Sequence, residues 1–261
     1  MIPSANSSRS LSHNLRTLVN DRFAPITSSP GYLKLGLDDA VAALAAWRRR
    51  LSRGRPVSVE EITDPFPECL RRLEPLTGGV VPRELLVEAS RGWTAYFDCS
   101  LRGTDPVGPI GYLTEAAGCQ GLAICSVPHT MGQPGLRHGR MGAVQFEVFG
   151  PFKTDFLNYI RTVHASFDGS QWAFDAVGTP QDFEEIDAYQ APRVRDRFTS
   201  GMLERYCKAL GLDVFNPQAY GPRAVLVCTQ VDVPPSGKVM TLDEVQRWLE
   251  IVPEMVAKLP G

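Results

Sequence analysis

The stretch Trp93-Thr94-Ala95-Tyr96-Phe97-Asp98-Cys99-Ser100-Leu101-Arg102-Gly103-Thr104-Asp105-Pro106, continued through an apolar segment to Gly118 and Leu122-Ala123-Ile124-Cys125-Ser126-Val127, decides how the chain is read. Its opening run is aromatic and β-favouring, and its closing run is apolar throughout, as a strand buried on both faces is. Between them Ser100–Pro106 gathers turn formers and charges. Asp105 before Pro106 suits a helix N-terminus, with an acceptor at the cap and proline at the first helical position. Gly118 then stops the helix. The reading is strand, polar turn, helix, strand. A connection of that length suits a parallel crossover, which places the Asp98–Asp105 turn at the carboxyl end of a strand, where clefts lie in α/β folds.

Working outward, residues 1–30 are rich in Ser, Asn and Pro and are expected to form a flexible N-terminal arm. Residues 31–261 are read as one α+β domain, with a helical subregion at 37–76, a sheet region at 80–231 and a C-terminal helix at 241–259. The clearest helix begins at Asp38, with acids in the first turn, Arg48-Arg49-Arg50 in the last and Gly54 beyond, in accord with the helix dipole. Ser58-Val59-Glu60-Glu61 matches a capping box and predicts a short helix, with a further one from Glu68 to Leu73. Tyr32–Leu35, Glu84–Glu88, Ala143–Phe149, Tyr159–Phe167, Trp172–Val177 and Ala224–Val231 read as strands, the Asp168-Gly169 pair being a hairpin signal. Thr199 caps a helix that Gly211 ends, and Thr241–Glu244 is a second capping box. The tally is about seven strands, joined mostly by hairpins, with helices packed on a mainly antiparallel mixed sheet.

Composition narrows the function classes. The chain has 261 residues, 43% of them apolar, and a formal net charge of -2, so no global basic field attracts nucleic acid or acidic lipid. The arginines are scattered among acids. No run approaches the ~20 apolar residues of a membrane span, and the first residues lack the apolar core of a signal peptide. Cys69, Cys99, Cys119, Cys125, Cys207 and Cys228 fall at irregular spacing, as buried reduced thiols do. A cytoplasmic location is expected.

Four constellations of residues bear on chemistry. Cys125, His129 and His138 are close in sequence, but no Cys-x-x-Cys or second ligand pair accompanies them, so no metal is expected. Cys99 and Cys125 lack the arginine-rich setting that lowers a thiol pKa. Glycine motifs for nucleotide phosphates are missing, and no cofactor is expected. Asp98, Asp105, Glu147 and Asp175 would gather at one edge of the sheet with Arg102 between the first two, either as an acid–base site or as staples of the turn.

Gly92-Trp93-Thr94-Ala95-Tyr96-Phe97-Asp98 with Arg102-Gly103-Thr104-Asp105, and Asp196-Arg197-Phe198-Thr199 with Met202-Leu203 and Tyr206, resemble segments of uncharacterised bacterial cytosolic proteins of the immunity type, encoded beside toxins. The resemblance covers residues 40–222 and carries over no catalytic residues. It implies a non-catalytic protein-binding module that neutralises a toxin partner, without nucleic acid or membrane. Asp98, Arg102, Asp105, His129 and His138 are the expected binding residues. The alternative is a small hydrolase-like enzyme using Asp98, Asp105 and His129 at the strand ends. Convergence of those side chains on a concave pocket separates the two readings.

Overall fold

The computed structural model describes residues 15–133, 135–137, 139–154, 157–231 and 237–251. Short 3-10 turns at Leu18–Asp21 and Ile26–Ser28 lead into β1 (Gly31–Leu33) and α1 (Leu37–Leu51). Next come β2 (Val57–Ile62), a 3-10 turn at Glu68–Leu73, β3 (Leu76–Thr77), β4 (Arg83–Ala89) and β5 (Trp93–Asp98). Then follow α2 (Val107–Ala117), β6 (Gly121–Val127), β7 (Ala143–Phe149), β8 (Tyr159–Phe167) and β9 (Trp172–Gly178). The described chain closes with α3 (Ser200–Ala209), β10 (Tyr220–Thr229), β11 (Val239–Met240) and α4 (Leu242–Trp248).

Nine strands make one sheet in the order β2, β10, β4, β5, β1, β6, β7, β8, β9, and β11 pairs with β3. The fold is α+β, as expected, but the sheet is larger than the seven or so strands expected. It is also not mixed: every neighbouring pair is antiparallel. The crossover survives in a split form. β1 lies between β5 and β6 and runs against both, so β5 and β6 are parallel with α2 bridging them.

The inserted strand explains a correction. The arm expected at residues 1–30 is not loose in its described part, 15–30. Phe23 and Ile26 are fully buried and Leu18 nearly so, each contributing about 1.5–3 kcal/mol of burial. The Pro30 carbonyl accepts the Ile124 N–H at 3.1 Å. Residues 1–14 lie outside the described residues. The described segment packs as single turns, which carry no periodicity in the sequence.

Ser58–Glu61 is likewise no helix but the middle of β2, an edge strand paired with β10. Its capping-box pattern is overridden by cross-strand pairing, and its glutamates face solvent at the edge. Asp105 does not cap α2, whose N-cap is Pro106 with no side-chain hydrogen bond. α4 ends at Trp248, short of the expected 259, with Glu250 in a left-handed conformation at φ 54°; residues 252–261 lie outside the described residues. Three local predictions hold. Gly118 ends α2 at φ 65°, Thr199 caps α3 through the Met202 N–H, and Thr241 and Glu244 form a reciprocal capping box.

The sheet has a different cover on each face. On one, α1 and α2 pack Leu37, Ala40, Leu44, Ile110 and Leu113 against Leu33, Leu86, Tyr96, Ala123 and Val225. On the other, the N-terminal turns, α3 and α4 cover Leu85, Phe97, Ile124, Phe146 and Val163. α2 sits directly on the sheet because Gly31 and Gly121 lie under it. A Cβ on Gly31 would stand 2.6 Å from Ile110 Cγ1, and one on Gly121 2.4 Å from Thr114 Cγ2.

Candidate functional site

The strand register builds a row across the α2 face. Glu84 pairs with Asp98, and farther along Cys125 pairs with Gln145, Gln145 with His164, and His164 with Asp175. The adjacent row holds Ala123, Glu147, Thr162 and Val177. Val144, Phe146 and Val148 face the other way, into the core, so alternation puts Gln145 and Glu147 on this side. α2 covers β1 and β6 but not β8 and β9. Ala173, Asp175 and Val177 are therefore exposed, and Thr162 and His164 are half-buried. The result is a polar shelf bounded on one side by the start of α2.

At the inner edge of the row, Glu84 is fixed. Arg48 reaches it through Nε at 2.5 Å and Nη2 at 2.6 Å, and the Tyr96 hydroxyl donates at 2.8 Å. Arg48 thus does more than end α1. It neutralises a buried acid while lying over the Trp47 ring, 4.3 Å from its centroid.

Asp98 is buried and committed to the turn. Its two oxygens accept the Ser100 N–H at 2.8 Å and the Asp105 N–H at 3.0 Å. Burial pushes its carboxyl above the usual range, and these hydrogen bonds pull against that rise. Thr104 bridges the same turn to the N-terminal segment, accepting the Asp98 N–H and donating to the Ile26 carbonyl. Arg102 is exposed and forms no ion pair among the described residues, so it pairs with neither Asp98 nor Asp105.

Asp105 and Glu147 do come together. Burial pushes the Glu147 carboxyl up to about 7, and the neighbouring Asp105 charge adds to the rise. Glu147 accepts no hydrogen bond among the described residues to offset this. Tyr159, its ring tilted against Phe149 at 4.5 Å between centroids, is pushed to about 12 by burial and by the same two carboxylates. Cys125 lies in the floor, where burial lifts its thiol to about 11, so it carries no thiolate at neutral pH. The shelf can hold a proton on Glu147 near neutrality, with the His164 imidazole in the adjacent row.

His129 is not part of this site. It packs on Phe167 at 4.4 Å and Trp172 at 5.6 Å, rings on the face of Val163 and Ala165 and opposite Glu147. Its Nδ1 accepts the Gly142 N–H at 3.3 Å, and burial together with Arg195 depresses its protonation. His138 lies outside the described residues. Of the four carboxylates expected to gather, Asp105 is within electrostatic reach of both Asp98 and Glu147, while Asp175 lies across from His164 on β9.

Gln145, Tyr159, Thr162 and His164 were not singled out from sequence. The signal for His164 was present: counting back from the Asp168-Gly169 turn pairs Phe167 with Trp172 and hence His164 with Asp175. The β7–β8 register carried no such signal, because that connection is long and a bulge shifts it between Val148 and Phe149.

Among the described residues no three His, Cys, Asp or Glu side chains are grouped to hold a metal ion, and no helix is long and apolar enough to cross a membrane. A cavity of about 470 Å³ lies between α2 and the β7–β8 connection, lined in part by Val107, Tyr112, Phe149, Lys153, Leu157 and Asn158. Asn158 donates there through Nδ2 to the Gly111 and Gly150 carbonyls and to Thr114 Oγ1. No protein-family model matches the chain, nor does any curated protein or solved structure.

Proposed function

We propose that the protein is a non-catalytic protein-binding module of the immunity type, acting by covering the active surface of a toxin partner. One observation carries the reading: the acid and base that catalysis would need are separated. The Asp98 carboxylate is consumed by the Ser100 and Asp105 amides, while His129 sits on the opposite face of the sheet. A rigid nine-stranded sheet with polar connections suits recognition, and binding places no demand on a perturbed nucleophile. The toxin identity of the partner rests on the segments around Trp93–Asp105 and Asp196–Tyr206.

Affinity capture from the native host with mass spectrometry tests it. A partner retained in stoichiometric amount supports the reading. Absence of any partner, together with a turnover abolished by Asp98→Asn, overturns it.

A second reading, a hydrolase-like enzyme, is favoured by Glu147 alone. A carboxyl near 7 beside Asp105 is suited to general acid–base work at neutral pH. Under that reading the site is Glu147, Asp105 and His164 rather than Asp98, Asp105 and His129. A bell-shaped rate profile lost in Glu147→Gln would distinguish it.

A further inference from the structure

α2 carries two glycines on one face, Gly108 and Gly111, within an apolar helix where glycine is less favourable than alanine. Packing against the rest of the protein does not account for Gly108, since a Cβ built there meets nothing within 4 Å. Both glycines line the cavity of about 470 Å³ between α2 and the β7–β8 connection, together with Val107, Tyr112, Phe149 and Asn158. A volume of this size falls in the range of small-molecule sites.

One polar atom in the wall is without a partner. Asn158 is only 4% exposed. Its Nδ2 donates to the Gly111 carbonyl at 2.8 Å, to Thr114 Oγ1 at 2.9 Å and to the Gly150 carbonyl at 3.0 Å. Carbonyl oxygens only accept, so the amide must turn its NH2 group toward them and its orientation is fixed. The Gly150 N–H donates to the Asn158 carbonyl at 3.0 Å, which clamps the backbone of Asn158 to the end of β7 as well. Oδ1 is left beside Gly111, where a Cβ would stand 3.2 Å from it, and it accepts no hydrogen bond among the described residues. A buried acceptor is unfavourable until something supplies it with a donor.

The rings in the wall are held in place. Tyr112 stacks on Trp47 with centroids 4.6 Å apart and planes 14° apart, and Arg50 donates to its hydroxyl. Phe149 packs on Tyr159 and lies 3.7 Å from where a Gly111 Cβ would be. A neutral acceptor among glycine and aromatic surfaces selects a flat, neutral ligand with one donor, because an ionised group at Oδ1 would be desolvated beside an amide that cannot neutralise it.

We propose that this cavity binds a small neutral aromatic molecule whose N–H or O–H donates to Asn158 Oδ1 while its ring lies along Gly108 and Gly111. The site does not depend on the protein-binding reading, and either can fail without the other.

The test is titration of the isotope-labelled full chain with indole and with N-methylindole, in which a methyl replaces the donor hydrogen, followed by NMR at the Asn158 side-chain amide. Indole is expected to bind and to shift this resonance, and N-methylindole to bind on the order of tenfold more weakly. Gly108→Leu puts a side chain where a Cβ meets no protein atom and raises helix propensity, so the fold is kept, as its Tm would confirm, while indole affinity falls on the order of tenfold. Gly111→Ala, which crowds Oδ1, weakens indole binding and narrows the difference between the two ligands. An Asn158 amide that does not move with indole at a concentration on the order of 5 mM overturns the proposal. So does equal affinity for indole and N-methylindole, which would mark an apolar crevice in which Oδ1 takes no part. Indole binding left unchanged by both glycine variants overturns it too.

Discussion

Glu147→Gln is the substitution that reads out the electrostatics of the shelf. In the fold its carboxyl titrates at about 7 against an ordinary value of 4.5, chiefly through burial and secondarily through Asp105. A raised carboxyl binds its proton more tightly in the folded state. Its contribution to stability is therefore complete below pH ~4.5 and is lost as pH rises through about 7. A tenfold change in proton affinity is worth about 1.36 kcal/mol, so the full rise corresponds to about 3 kcal/mol. Because the side chain is only partly buried, solvent screening reduces this to about 2 kcal/mol. Glutamine is neutral at every pH and nearly isosteric. The variant should match wild type at pH 4.5 and exceed it by about 2 kcal/mol at pH 8, a gain of about 4–8 °C in Tm for a chain of this size. Urea unfolding at pH 4.5, 6 and 8 measures it. Identical pH dependence in the two proteins, or a variant weaker than wild type at pH 8, would refute the reasoning. An Asp105→Asn variant should recover a smaller part of the same gain, since it removes only the secondary cause.

Three further outcomes are expected. Glu184→Gln should destabilise the fold by about 3–5 kcal/mol in urea unfolding, because it leaves the buried Arg161 guanidinium uncompensated where Glu184 now accepts Arg161, the Gln181 N–H and the Tyr189 hydroxyl. Gly31→Ala should cost about 1–3 kcal/mol by forcing Ile110 and Pro106 off β1, seen as a lowered urea midpoint at unchanged secondary structure by circular dichroism. Asp98→Asn should cost about 1–3 kcal/mol, since one oxygen can no longer serve both amides, and should increase hydrogen exchange at the Asp105 amide before the β5 amides change.

Much of the site was legible piecewise. The strict alternation of Ala143–Phe149 determines which residues leave the core, and the Asp168-Gly169 turn determines that His164 faces Asp175. Asp98 as a staple of its own turn follows from a buried strand end meeting Ser, Thr and Gly. His129 could not be placed, because the connection from β6 to β7 leaves the plane of the sheet and returns on the aromatic face. The hydrogen bonds from the Arg137 and Gly139 N–H groups to Glu250 were equally invisible, since backbone donors leave no side-chain signature and the acceptor lies 113 positions from Arg137.

The stretch from Trp93 to Val127 shows the division of labour. Strand, polar turn, helix and strand were determined locally, by β-favouring side chains, turn formers, an apolar helix and Gly118 as its stop, all of which act within a few residues. Sequence by itself also determined the capping of α3 and α4 and the β8–β9 hairpin. Only the tertiary structure decided that β1 enters between β5 and β6, because strand order depends on contacts between residues far apart in the chain, with no local signature. That insertion makes the sheet antiparallel throughout and lays Gly31 beneath α2. Burial on the same face, with the Asp105 charge adding to it, gives the shelf a Glu147 carboxyl that titrates at about 7.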